Sequence, residues 1–214
     1  MAHLSQRLKP SKLLLSIVAV VLLLAGMVAG TTFVDTTEAT DVRGLDFDPQ
    51  EYTDQAFPEI RDMIVERAVP LPLLAESIAS DPAAAGAEFG QDMGAGRYTY
   101  AVSVTGTVDD VDEEYLYLSV PELPDADVRV PLGSALSGNP VRDATGTIAF
   151  GDFPDQNSYQ SVANFFRRKM LAEVIEPVDP PSLVGETLGL YAGWVTGGPA
   201  DTYLLMPVMM EVVS

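Results

Sequence analysis

The chain lacks cysteine altogether, and its single histidine, His3, stands ahead of the first apolar run. No disulfide, thiolate nucleophile or thiolate metal site can form. Ser–His–Asp and Cys–His mechanisms and His-ligated zinc are excluded from everything after position 3. Lysine is nearly as scarce: beyond Lys12 there is only Lys169, inside the basic triplet Arg167-Arg168-Lys169. A Ser–Lys dyad would have to form in that like-charged run. No GxSxG, Walker loop or GxGxxG in its proper context occurs. Catalysis, a cofactor and a metal ion are therefore not expected. A carboxylate-dependent hydrolase stays open, because 31 acidic residues make a chance pair uninformative.

Basic charge is missing where a nucleic-acid binder would need it. Arg7, Lys9 and Lys12 come first, and no acidic residue precedes Asp35. From Asp35 onward, 31 acidic residues face nine basic ones, a formal charge of −22. Such a domain repels phosphate backbones, so nucleic acid is not a partner.

What the chain does have is a run of 22 uncharged residues, Leu13 to Val34. At 1.5 Å per residue, a helix of about 20 residues spans a bilayer core of about 30 Å. The flanking charges place residues 1–12 in the cytoplasm, 13–34 across the membrane as a signal anchor, and the rest outside. The alternative is a cleaved signal peptide, for which Ala25, Gly26, Ala29 and Gly30 supply small residues. Either way the expected location is extracytoplasmic, with a single-pass anchor at the cell membrane. A lipid anchor is closed off by the absence of cysteine.

Residues 35–47 read as a linker and 48–96 as a helical region. Asp48-Pro49 and Asp81-Pro82 are helix-start signals, with the acid accepting from free N–H groups and proline at the first helical position. Pro58 is expected to break or restart the first helix. Val69-Pro70-Leu71-Pro72 is expected to be extended, with a further short helix over Leu73–Ser80.

From 97 to 214 the period changes to two. Tyr98, Tyr100, Val102 and Val104 alternate with smaller polar residues, then an acidic tip from Asp109 to Glu114 turns the chain into Tyr115–Val120. Asp127–Leu132 predicts a third strand, and Thr145–Phe150 an extension or a fourth. Asn157–Glu176 predicts the clearest helix, with Val162, Phe166, Met170 and Val174 four apart. Glu186–Val195 and Tyr203–Val213 predict two closing strands. Strand, strand, strand, helix, strand, strand is the order of an OB-type barrel, in which the inserted helix plugs one end. The fold class is thus α+β. A faint echo between Gly106–Val120 and Gly193–Val208 suggests two hairpins with a glycine at a bend.

The stretch Arg142-Asp143-Ala144-Thr145-Gly146-Thr147-Ile148-Ala149-Phe150-Gly151-Asp152-Phe153-Pro154-Asp155-Gln156-Asn157, followed by Val162-Ala163, resembles the signature of a bacterial family of predicted periplasmic lipoproteins of unknown function, DUF2291. Phe47-Asp48-Pro49 with Tyr52, Glu88-Phe89-Gly90 and Pro207–Val212 echo the same family. The resemblance covers roughly residues 45–213 and implies an exported, OB-like domain with a helical N-terminal part. It also implies an accessory role beside sugar ABC transporters, whose components are the expected partners. This chain departs from the family in lacking the lipid-bearing cysteine, and in having Asp155 where the family has asparagine.

The same stretch holds the candidate site: Arg142, Asp143, Asp152, Gln156 and Asn157. As a ligand site, Arg142 would grip a carboxylate or a sugar hydroxyl at the barrel mouth. As structure, Arg142 and Asp143 would pin a loop, and Gln156 or Asn157 would cap the helix. The acidic tip could hold Ca²⁺ but lacks dedicated ligand spacing and reads as a solvated hairpin tip. Arg167-Arg168-Lys169 is an anion contact or a solvent face, and Trp194 with Tyr191 a sugar platform or buried core. The leading expectation is a non-catalytic envelope protein accessory to sugar uptake; the alternative is a small-ligand binding module around Arg142, Asp152 and Gln156. Oligomeric state is not encoded legibly.

Overall fold

The computed structural model describes residues 47–213 and the single position Val20. The expected membrane helix and linker therefore lie, but for Val20 and Phe47, outside the described residues. Among those described, no helix is long and apolar enough to cross a membrane. The chain divides after Leu45, and Asp46–Ser214 forms one compact unit in which the helical region and the strands fold together.

Three helices come first: α1 (Pro49–Arg67), α2 (Leu71–Ser80) and α3 (Pro82–Phe89). The Asp48 carboxylate accepts from the N–H groups of Gln50 and Glu51, and Asp81 from those of Ala83 and Ala84. Contrary to expectation, α1 runs unbroken through Pro58. An interior proline costs about 3 kcal/mol. Full burial of Phe57, Ile60 and Ile64 stabilises by about 1.5–3 kcal/mol each, which outweighs it. Only Val69–Pro70 stays extended, as a short β1 lying parallel to Val102–Ser103, and Leu71 already opens α2.

The remaining strands are β2 (Gly90–Asp92), β3 (Tyr98–Val111), β4 (Tyr115–Ser119), β5 (Asp127–Pro131), β6 (Thr187–Val195), β7 (Thr202–Leu204) and β8 (Met206–Val212). They pair in the order β7-β5-β4-β3-β6-β8, with β1 and β2 added along β3. The two ends of that path, β7 and β8, are successive halves of one segment broken at Leu205. β7 runs parallel to β5 and β8 antiparallel to β6, so the sheet curls round on itself. The expected strand over Thr145–Phe150 does not form. Gly146, at φ 68°, turns the chain there. Around it stand a short α4 (Asn139–Asp143) and a single tight turn, Phe150–Asp152. The long helix, α5 (Gln156–Met170), continues as wide and tight turns to Val178, where prolines end it.

Alternation along the strands creates two cores. Tyr100, Val102, Val104, Leu116, Leu118, Val128, Val130, Leu190 and Trp194 fill the inside of the curl, joined by Leu71 and Leu74 of α2. The opposite face of β3, β6 and β8, through Ala101, Met206 and Val208, packs against α1, α4 and α5. The buried stripe of α5, Val162, Phe166 and Met170, belongs to this second core. The inserted helix therefore does not plug the barrel, as the OB order suggested. Leucines of α2 reach the inside instead, and α5 lies outside against α1, where Phe57 and Phe166 meet at 6.0 Å between ring centroids.

Candidate functional site

The expected site residues fall into two groups. Arg142 and Asp143 end α4, which is pressed between α5 and β6. A Cβ on Gly138 would lie 1.8 Å from the Ala163 carbonyl oxygen, and one on Gly193 would lie 2.7 Å from Pro140. That contact holds Arg142 and Asp143 at 4% and 7% exposure. Adjacent in sequence, they still form a two-pronged ion pair, Nε to Oδ1 at 2.6 Å and Nη2 to Oδ2 at 3.0 Å. The third guanidinium nitrogen, Nη1, donates to the Tyr159 carbonyl on α5 at 3.1 Å. The Tyr159 hydroxyl donates to Asp143 at 3.1 Å, and its ring lies 3.6 Å beneath the guanidinium carbon. Burial first, and the Asp143 carboxylate second, raise the Tyr159 hydroxyl above its ordinary pKa. The arrangement ties α4 to α5, which is the structural one of the two readings offered by the sequence. All three guanidinium nitrogens are thus engaged within the protein, and Arg142 keeps only 4% of its surface exposed.

Asp152, Gln156 and Asn157 form the second group, and all three are exposed. Asp152 accepts from the Ala149 N–H at 2.9 Å. Neither Gln156 nor Asn157 caps α5; Asp155 does, accepting from the Ser158 N–H at 2.8 Å. Asparagine and aspartate are equivalent N-caps, so the family asparagine and this Asp155 fit the same task. Asp155→Asn is therefore expected to leave stability unchanged. Asp155→Ala should lower it by about 1 kcal/mol, measured by urea unfolding. Sequence reasoning missed Tyr159 and the ring cluster around it: Phe153 lies 5.3 Å from Tyr159, 5.2 Å from Tyr52 and 5.4 Å from Phe47. The aromatic content of Phe47-Asp48-Pro49 with Tyr52 was the available signal.

The acidic tip is used by the fold. Asp112 accepts from the N–H groups of Glu114 and Tyr115, both at 2.7 Å, and from the Tyr117 hydroxyl at 2.8 Å. Those two backbone donors, with the Tyr117 hydroxyl behind them, lower its pKa. Among the described residues no group of three or more acidic or histidine side chains is placed to hold a metal ion. Of the basic triplet, Arg167 and Arg168 lie exposed on α5. Lys169 pairs with Asp54 of α1 at 2.8 Å and Glu173 at 2.7 Å, and Arg168 lies over Phe165.

The outer face of β4 and β5 carries a cluster that the sequence analysis did not single out. Leu116, Leu118, Val128 and Val130 point inward, so Tyr115, Tyr117, Asp127 and Arg129 point out. Tyr117 and Arg129 are directly opposed across the two strands. The Arg129 guanidinium lies 5.3 Å from each tyrosine ring centroid. Asp127 binds it through both oxygens. The ion pair raises the Arg129 pKa, so its charge is fixed. Arg129 and Asp127 keep 31% and 35% of their side chains exposed.

Comparison with known proteins bears on the whole domain. Residues 17–211 match the family described as predicted periplasmic lipoprotein (DUF2291). No curated protein matches the chain. Among solved structures, the chain is similar to an OB-fold protein from Thermotoga maritima, at 18% identity and a TM-score of 0.66. The match covers 79% of this chain and all of that one. At that identity the likeness establishes the fold, an OB-type curled sheet with added helices.

Proposed function

Because the chain belongs to the family of predicted periplasmic lipoproteins known as DUF2291, we propose that it is a non-catalytic extracytoplasmic protein that assists sugar uptake by docking onto transporter components. The uncharged stretch 13–34, with basic residues before it and acids after, holds it at the membrane in place of a lipid. Family membership supports the extracytoplasmic, membrane-associated location.

The observation that carries the docking role is the Tyr115–Arg129–Tyr117 cluster on the outside of β4 and β5. Tyrosine and arginine dominate the energetics of protein contacts, because each offers a large rigid surface at modest entropic cost. Here the arginine is already held flat by Asp127 and the tyrosines flank it, so little freedom is lost on association.

The test is affinity purification of the full chain from membranes of its own cells after cross-linking. Transporter components are expected with the parent chain, and at least tenfold less of them with the pair Tyr117→Ala and Arg129→Ala. Recovery of no transporter component, or equal recovery with the double variant, would remove the docking role.

A further inference from the structure

At one end of the curl a cleft opens between α2 and the loop from Val195 to Asp201. Its inner part, about 250 Å³, is lined by Ala75, Ile78, Trp194, Asp201 and Tyr203 among others. It shares Ala75, Ala79, Asp201 and Tyr203 with an outer part of about 760 Å³ that extends to Glu76 and the Glu122–Ala126 loop. Small-molecule sites usually occupy about 300–1,000 Å³.

Two residues lining the inner part are more than nine-tenths buried yet lack polar partners. Trp194 and Tyr203 are each 8% exposed, with ring centroids 5.1 Å apart. Neither the indole N–H nor the Tyr203 hydroxyl is hydrogen-bonded to any described residue. A buried tryptophan or tyrosine normally finds a partner for its polar tip. Among the described residues, the side-chain polar atoms both sealed and unpartnered are Thr99 Oγ1 and Tyr100 Oη. The polar tips of Trp194 and Tyr203 are therefore unpartnered without being sealed, and the space both residues line is this cleft. Burial, then the nearby Asp201 carboxylate, raises the tyrosine pKa, so its hydroxyl stays protonated and able to donate.

The rest of the lining has the opposite character. Glu76, Glu122, Asp125 and Asp201 supply four carboxylates, and no lysine, arginine or histidine lines either part. An occupant that reaches these groups would accept from the indole N–H and the phenol, and donate to the carboxylates. An ammonium group meets the rim but cannot accept. A phosphate or carboxylate meets the floor but is repelled by the rim. Hydroxyl groups do both, and a sugar ring presents C–H faces to the two aromatic rings.

We propose that this cleft binds a neutral, polyhydroxylated small molecule, with Trp194 and Tyr203 as its floor and Asp201 at its rim. The site is separate from the docking face on β4 and β5 and does not depend on it. Trp194 is the chain's only tryptophan, so the emission has a single source, a residue that lines this cleft. The experiment titrates the full chain, in a detergent without a sugar headgroup, with D-glucose, D-galactose, D-ribose and maltose. Glucose 6-phosphate and spermidine serve as charged counterparts.

At least one neutral sugar is expected to shift Trp194 emission saturably, and both charged probes to bind at least tenfold more weakly. Tyr203→Phe and Asp201→Asn keep the ring and the loop geometry, and each is expected to weaken binding roughly tenfold with an unchanged unfolding midpoint. Silence from all four sugars, equal binding of the phosphate, or undiminished affinity in both variants would overturn the assignment. Transporter recovery in the cross-linking experiment is unaffected by any of these results, so the two readings fail separately.

Discussion

Gly138→Ala should be among the most damaging single-methyl changes in the domain, lowering stability by about 3 kcal/mol. The added carbon would lie 1.8 Å from the backbone oxygen of Ala163 and 2.9 Å from the Arg167 nitrogen. Both are main-chain atoms of α5, so no rotamer change relieves the overlap. α5 is itself held from behind by Phe57 and Ile60 of α1, which are 1% and 2% exposed, and cannot simply back away. On a domain of this size the loss corresponds to a midpoint lowered by roughly 6–12 °C in calorimetry. Backbone strain is not the cause, because Gly138 sits at φ −82°, which alanine adopts freely. Gly151→Ala is the control: nothing stands within 4 Å of its Cβ, and the change should be neutral or slightly stabilising. Equal stability of the two variants would mean that α4 does not touch α5 as described.

The same glycine shows where sequence reading stops. The alternation from Tyr98 to Val104 and the acids around Asp112 made the β3–β4 hairpin legible, because strand period and turn chemistry are local. The strand order followed, and with it the OB-type fold. The echo between Gly106 and Gly193 did not carry the common meaning suggested. A Cβ at Gly106 would meet Ser119 across the hairpin, whereas one at Gly193 would meet Pro140 of α4, far along the chain. Close approach between distant segments leaves no periodic trace. The position of α5 was likewise illegible: its apolar stripe announces that one face is buried but not against what, and α1 supplied the surface. Pro58 misled because helix propensity is weaker than the burial of the three side chains flanking it. Asp155 was undervalued as a departure from the family, although as a cap it is equivalent to asparagine.

Arg142→Met decides between the two meanings of the site that the sequence left open. If the guanidinium serves a ligand, removing it leaves folding stability nearly intact. In the geometry found here it neutralises Asp143, which is 7% exposed and holds two of the guanidinium nitrogens. Removing one partner of a buried pair strands the other charge, at a cost of about 3–5 kcal/mol. The Tyr159 hydroxyl would still donate to Asp143, which places the expected loss at the lower end, near 3 kcal/mol. The Tyr159 carbonyl loses its donor as well. Arg142→Met combined with Asp143→Leu removes both charges and fills the space with apolar side chains. Replacement of a whole buried pair is typically neutral or stabilising, so the double variant should be more stable than the single one. Urea unfolding of the parent, the two singles and the double closes the cycle. A coupling of several kcal/mol is the expected result. An Arg142→Met single variant as stable as the parent would return the pair to the ligand-site reading.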